Sequence, residues 1–156
     1  MGTVDRPLLV VVHSRSGTTA ALTEAAVSAA VAAAPDLPLR RLDAFDAGPD
    51  DVQGCAAVLV ATPARFGWMS GAMKDFFERI YHPCLEVTVG LPYALIVKGD
   101  TDVEGAVASV ERIATGLRWR QVLAPVRVVG PVDAAALEAA SELGATLAAG
   151  VDAGIF

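Results

Sequence analysis

Three stretches of the chain, 7–13, 56–61 and 91–97, are apolar almost throughout. A solid run of this kind marks a parallel strand covered by helices on both faces, where no alternate residue meets water. Each run is followed by a polar loop and then by a segment with helical spacing. Helices read over 18–34, with Leu22, Ala26, Ala29, Ala30 and Ala33 able to share a face, and over Ser70 to Tyr81, with Met73, Phe76, Phe77 and Ile80 as core. Two more read over Val103 to about Leu117 and over roughly 134–149, the last N-capped by Asp133. Pro35 and Pro38 end the first helix and Pro83 the second. Leu39 to Leu42 reads as a short strand at or near a sheet edge, because it carries Arg40 and Arg41. Residues 43–53 read as loop or a short turn of helix, and 121–129 as a fifth strand broken or delayed by Pro125. This alternation implies an α/β fold, a doubly wound parallel sheet with helices on both faces. The 156 residues make one domain, 1–156, able to bury roughly 68–70% of the extended-chain surface.

In such a sheet ligands sit outside the carboxyl ends of the strands. Three loops meet there, after the first, third and fourth strands. The first is His13-Ser14-Arg15-Ser16-Gly17-Thr18-Thr19, a strand-to-helix turn rich in hydroxyls. Free backbone N–H groups at a helix N-terminus, helped by hydroxyl donors, suit a phosphate. An ordinary capped helix start would use the same residue types. Arg15 is either a phosphate ligand or a solvated side chain, and His13 packs structurally beside the loop. The second loop, Thr62 to Met69, carries Phe66 and Trp68, large aromatics that point to a ligand or subunit contact rather than core. The third is Lys98-Gly99-Asp100-Thr101-Asp102.

Several phosphate chemistries fail on single residues. The first loop has one glycine, so the G-x-G-x-x-G dinucleotide fingerprint is absent, and no Gly-Lys-Ser/Thr is present for a Walker loop. A response regulator needs an aspartate at the end of the third strand, where Ala61-Thr62 stands. A low-molecular-weight tyrosine phosphatase needs a cysteine in the first loop, and Cys55 and Cys84 lie elsewhere. His82 and Cys84 flank Pro83, but two ligands make no metal site. The balance of 12 basic against 18 acidic residues, net −6, speaks against nucleic acid and anionic membranes as partners. Mean hydropathy is positive, yet no apolar run approaches the roughly 20 residues of a spanning helix. Met1 to Arg6 lacks the pattern of a secretory signal, and the two cysteines form no framework. The expectation is a cytoplasmic protein with reduced thiols.

Ser14-Arg15-Ser16-Gly17-Thr18-Thr19 resembles the flavodoxin phosphate loop, Ser/Thr-x-Thr/Ser-Gly-x-Thr. Thr62-Pro63-Ala64-Arg65-Phe66-Gly67-Trp68-Met69-Ser70 resembles the second flavin loop of the flavodoxin-like NAD(P)H:quinone oxidoreductases, the tryptophan-repressor-binding-protein type. Met73-Lys74-Asp75-Phe76 fits the helix that follows. The resemblance spans essentially the whole chain. It implies a flavodoxin-like three-layer sandwich with a five-stranded parallel sheet in the order 2-1-3-4-5. It also implies FMN, with phosphate held by Ser14, Arg15, Ser16, Gly17, Thr18 and Thr19. Thr62, Pro63, Ala64, Arg65, Phe66, Gly67 and Trp68 would run beside the flavin ring, and Gly99 and Asp100 would approach its pyrimidine side. A Gly67 backbone group would face the ring's redox-active nitrogen. The implied activity is reduction of quinones or similar acceptors by NADPH or NADH, with no catalytic side chain; the alternatives are a flavodoxin-type one-electron carrier between redox proteins, or a fold that has lost flavin. The partner is then a small-molecule electron acceptor or a redox protein, and a homo-oligomer is compatible with either. Departures from the family are Trp68 in place of a small polar residue, the lack of a long insertion, and a third loop without an aromatic.

Overall fold

The structure, a computed structural model, describes residues 5–156; the reading of Met1 to Val4 lies outside them. The first apolar run forms β1 (Leu8–Val12), buried at every position. It leads into α1 (Thr18–Ala33), followed by β2 (Leu39–Asp43) and a short α2 (Pro49–Gln53). Next come β3 (Ala57–Arg65), β4 (Trp68–Met69), α3 (Gly71–Cys84) and β5 (Pro92–Gly99). The chain finishes with α4 (Glu104–Gly116), β6 (Arg120–Gln121), β7 (Val126–Val129) and α5 (Ala134–Asp152). The parallel sheet runs β2-β1-β3-β5, and β6 and β7 both add to the far edge of β5. With those two pieces as one interrupted strand, this is the expected 2-1-3-4-5 order. The break falls at 122–125, around Pro125, which has no N–H to give a ladder.

Alternation along the strands divides the core in two. Leu8, Val10, Leu59, Ala94 and Ile96 face α1 and α5, meeting Leu22, Ala26, Ala30, Leu143 and Leu147. Leu9, Val11, Val58, Val60, Leu95 and Val97 face α3 and α4, meeting Met73, Phe76, Phe77, Ile80, Val107 and Val110. Of the α1 face read from the sequence, Ala33 is exposed and the buried position at that end is Ala34. The edge strand β2 uses its arginines outward, Arg40 pairing with Asp51 and Arg41 with Glu24. Asp133 caps α5 as expected, accepting from the Ala136 N–H at 2.8 Å.

Two boundaries differ from the sequence reading. Pro83 does not end α3, which continues to Cys84. As the next-to-last helical residue, it removes a single bond from a turn that is already ending. The stretch 62–69 is not a free loop. β3 runs on to Arg65, turns through Phe66-Gly67, and pairs back antiparallel through β4 (Ala64 with Met69, Arg65 with Trp68). Phe66 and Gly67 have φ of 51° and 73°, the two positive values of a type I′ hairpin turn. No helix is long and apolar enough to cross a membrane among the described residues. Both cysteines are buried and free.

Candidate functional site

The three strand ends converge on one open cleft of about 330 Å³. Arg15, Ser16, Thr18 and Thr19 supply one wall; Pro63, Ala64 and Arg65 supply a second; Lys98, Gly99 and Asp100 supply the third. Nine of these ten residues were expected at a site from sequence; the tenth, Lys98, was not.

The end of the cleft at the start of α1 is built by a glycine and a serine. Gly17 takes φ 92°, a left-handed conformation that turns the chain from β1 into α1. The Ser14 hydroxyl points into this turn and accepts from the Gly17 and Ala20 N–H groups at 3.2 and 3.1 Å. Ser14 therefore shapes the loop from within and does not line the cleft. Ser16 and Thr18 hydroxyls lie 3.2 Å apart at the rim. Among the described residues, the N–H groups of Ser16, Thr18 and Thr19 have no protein acceptor. A helix N-terminus with unpaired donors and flanking hydroxyls is prepared for an anion.

The hairpin wall is fixed from behind. Thr62 is fully buried, and its hydroxyl accepts from the Ser70 N–H at 3.1 Å, so it anchors α3's start rather than touching the cleft. Ser70 in turn caps α3 by accepting from the Met73 N–H at 3.2 Å. The Met69 N–H donates to the Ser109 hydroxyl at 3.1 Å, and that hydroxyl donates to the Ala106 carbonyl at 2.7 Å. These bonds clamp the hairpin to α4. At the turn, Gly67 lies directly against Gly105 of α4: a Cβ placed on Gly105 would stand 2.0 Å from the Gly67 carbonyl oxygen. The Gly67 carbonyl thus faces α4. Phe66 at the tip is 106% exposed. A phenylalanine with φ 51° is strained by about 1–2 kcal/mol, and such strain collects at functional positions. Trp68 is 40% exposed, and Lys74 stands 6.0 Å from its ring. Neither aromatic lines the cleft.

The third wall carries the residue that sequence reasoning passed over. Lys98 continues the β5 ladder opposite Pro63 and is 8% exposed, although its neighbours in the strand are apolar. Its ammonium bonds the Asp100 carboxylate at 2.8 Å, and Asp100 itself is exposed. The hydrogen bond and charge of Lys98, with a smaller contribution from Arg65, hold the Asp100 carboxyl below the usual carboxylate range. The sequence signal was present: a lysine closing an otherwise apolar central strand. Asp102 is not part of the cleft, since its carboxylate accepts from the Glu104 N–H at the start of α4. Three cations and one carboxylate therefore line this cleft in a chain of net charge −6.

His13 sits at the strand end beside the loop, edge-on to Phe45 at 6.0 Å, with its Nδ1 buried and unpartnered. Burial pushes the Cys55 thiol up to about 12 and raises Cys84 as well, so neither offers a thiolate near neutral pH.

No protein-family model matches the chain, and no curated protein sequence matches it. Solved structures do. A flavodoxin from the domain Archaea superposes with TM-score 0.81 at 18% identity, covering 93% of this chain and 98% of its own. A flavodoxin, WrbA-like protein from Agrobacterium tumefaciens gives 0.77 at 18% identity, covering 94% and 98%. An azoreductase from Bacillus anthracis gives 0.73 at 13% identity, covering 91% and 97%. The fold is flavodoxin-like over more than nine-tenths of the chain.

Proposed function

We propose that this chain is an FMN-binding oxidoreductase that passes electrons from NADPH or NADH to a quinone or a similar small acceptor. The observation that carries this reading is the cleft formed by all three strand ends, with an anion-ready helix terminus on one wall and a clamped hairpin on another.

The residues present fit the cofactor on two counts. Unpaired N–H groups at Ser16, Thr18 and Thr19, with Arg15 beside them, suit a phosphate dianion. Pro63, Ala64 and Gly99 carry little side chain to obstruct a planar ring. The solved structures named above, a flavodoxin, a WrbA-like flavodoxin and an azoreductase, support a flavin reading over other phosphate ligands.

Bound FMN supplies the redox chemistry, accepting electrons from a reduced nicotinamide and releasing them to an acceptor. The chain's own work is placement and electrostatics. The first loop holds the phosphate end. The Ser109 and Thr62–Ser70 bonds fix the hairpin, so the second wall keeps its position without a side-chain acid or base. Lys98, Arg65 and Arg15 make the cleft favourable to anionic ligands, while Asp100 lowers that field at the third wall.

The test is to load the purified protein with FMN and add NADPH, then NADH, in the absence of oxygen. Loss of the flavin's visible absorbance within seconds to minutes, restored by a quinone, is the expected result. A loaded protein that keeps its absorbance with both nicotinamides but loses it with dithionite is a carrier rather than a reductase.

A further inference from the structure

Lys98 has no role in the flavin reading as the sequence resemblance states it, yet it is the most buried charge in the cleft. A lysine side chain is seldom buried unless its ammonium is well paired. Here the pairing is lopsided: the Lys98 side chain is 9% exposed and its partner Asp100 is 90% exposed. Its strand neighbours explain where it points. Ala94 and Ile96 face α1 and α5, so Lys98, two residues further on, belongs to that same face. The face leads to the start of α1, and Lys98 lines the cleft together with Thr18 and Thr19. Lys98 therefore shares the cleft with the helix terminus whose N–H groups are unpaired.

Asp100 is suited to be a temporary partner. It lies two residues away, on the exposed chain just after β5, and is held by one bond of 2.8 Å. A water-exposed carboxylate forms a weak pair, because solvent competes for it. A phosphate monoester offers a second negative charge and three acceptor oxygens, and charge-assisted bonds to a buried donor are the stronger kind.

We propose that Lys98 is the counter-ion of the ligand's terminal phosphate, exchanging Asp100 for that phosphate on binding, and that it thereby selects the phosphorylated flavin over riboflavin. This rests on the FMN reading for the identity of the ligand, but the anion-binding role of Lys98 is separable from it. The exchange is a change of hydrogen-bond and ion-pair partners only, with no covalent step.

The experiment titrates the ligand-free protein with FMN and with riboflavin, following quenching of flavin fluorescence, for the wild type, Lys98→Met and Asp100→Asn. Inorganic phosphate is added separately, with melting temperature as the readout. Lys98→Met keeps the buried stem and removes the charge, and Asp100→Asn changes only an exposed group. The expected pattern is that Lys98→Met weakens FMN by roughly 10- to 100-fold, as for loss of a bond to a charged group, and leaves riboflavin within about twofold. Asp100→Asn should tighten FMN severalfold, and by more than it changes riboflavin, because Lys98 is then free before binding. Phosphate should raise the melting temperature of the wild type and not of Lys98→Met. Equal weakening of both flavins by Lys98→Met, or weakening of FMN by Asp100→Asn, overturns the proposal. If neither flavin binds the wild type but phosphate still stabilises it through Lys98, the flavin reading fails and the anion role stands. If flavins bind but Lys98→Met leaves the FMN preference intact, the reverse holds.

Discussion

Replacing Gly105 by alanine probes the coupling between α4 and the wall of the cleft. The new methyl would stand 2.0 Å from the Gly67 carbonyl oxygen and 3.0 Å from its carbon, whereas ordinary contact begins near 3.4 Å. The oxygen must therefore retreat by about 1.4 Å, and the obstacle is backbone, which cannot rotate aside as a side-chain tip can. Overpacking of this kind costs about 1–3 kcal/mol. The opposing gain from alanine in place of glycine in a helix is at most about 1 kcal/mol, and less here because Gly105 lies in the first turn of α4. The net expectation is a loss of about 0.5–2 kcal/mol, or roughly 1–8 °C in Tm for a domain of this size. The Met69–Ser109 bond behind the turn should loosen with it, so the Met69 amide should exchange faster than in the wild type. Moving the hairpin wall should also weaken FMN by roughly tenfold, about 1.4 kcal/mol. Urea unfolding, hydrogen exchange and flavin titration read the three effects. A Gly105→Ala protein as stable as the wild type, with unchanged Met69 protection and unchanged FMN affinity, would refute the placement of Gly67 against α4.

Ser70→Ala removes the α3 cap and one of the contacts of the buried Thr62 hydroxyl, which keeps the Ser70 N–H and the Pro63 carbonyl, so urea unfolding should show a loss of about 1–2 kcal/mol, mostly from the cap. Phe66→Asn puts a residue that tolerates positive φ at the turn tip; it should gain about 0.5–1 kcal/mol by thermal unfolding, and a loss there would mean the φ of 51° is not strain. The Cys55 thiol, pushed from 9.0 up to about 12 by burial, stays protonated in the folded protein where the unfolded chain ionises. Its contribution to stability is thus complete below pH 9 and falls away as pH rises from about 9 to 12, which a series of urea midpoints at alkaline pH would register. In the native state near neutral pH, Cys55 should react with a thiol reagent only at the rate of global opening, and fast labelling without unfolding would contradict its burial.

What the sequence made legible follows from burial. β1, β3 and β5 are apolar at nearly every position because helices cover both faces, so their place at the centre of a parallel sheet could be read directly. The strand-to-helix turn before α1 was legible because Gly17 and its hydroxyl neighbours sit where a strand must turn into a helix. The hairpin was not. Thr62-Pro63 reads as the start of a loop, yet β1's pairing ends at Ala61, so Pro63 adds to β5 on one side only and its missing N–H is tolerated there. Phe66-Gly67 hides the turn further, since type I′ turns are expected to carry asparagine, aspartate or glycine at the first position. Ser14 and Thr62 were rightly tied to the loops but turn inward as scaffolding, a distinction that depends on side-chain direction rather than residue type. Lys98 was grouped with a polar loop because a charge normally marks the end of a buried strand; only the fold shows that it remains in the ladder, nearly enclosed.

Titrating the purified, ligand-free protein with FMN measures the central claim most directly. An FMN site in this cleft predicts saturable binding at one flavin per chain, quenched flavin fluorescence, and a higher Tm in proportion to ligand excess. Unquenched fluorescence and an unchanged Tm at FMN concentrations far above those used by flavin-binding proteins would contradict it.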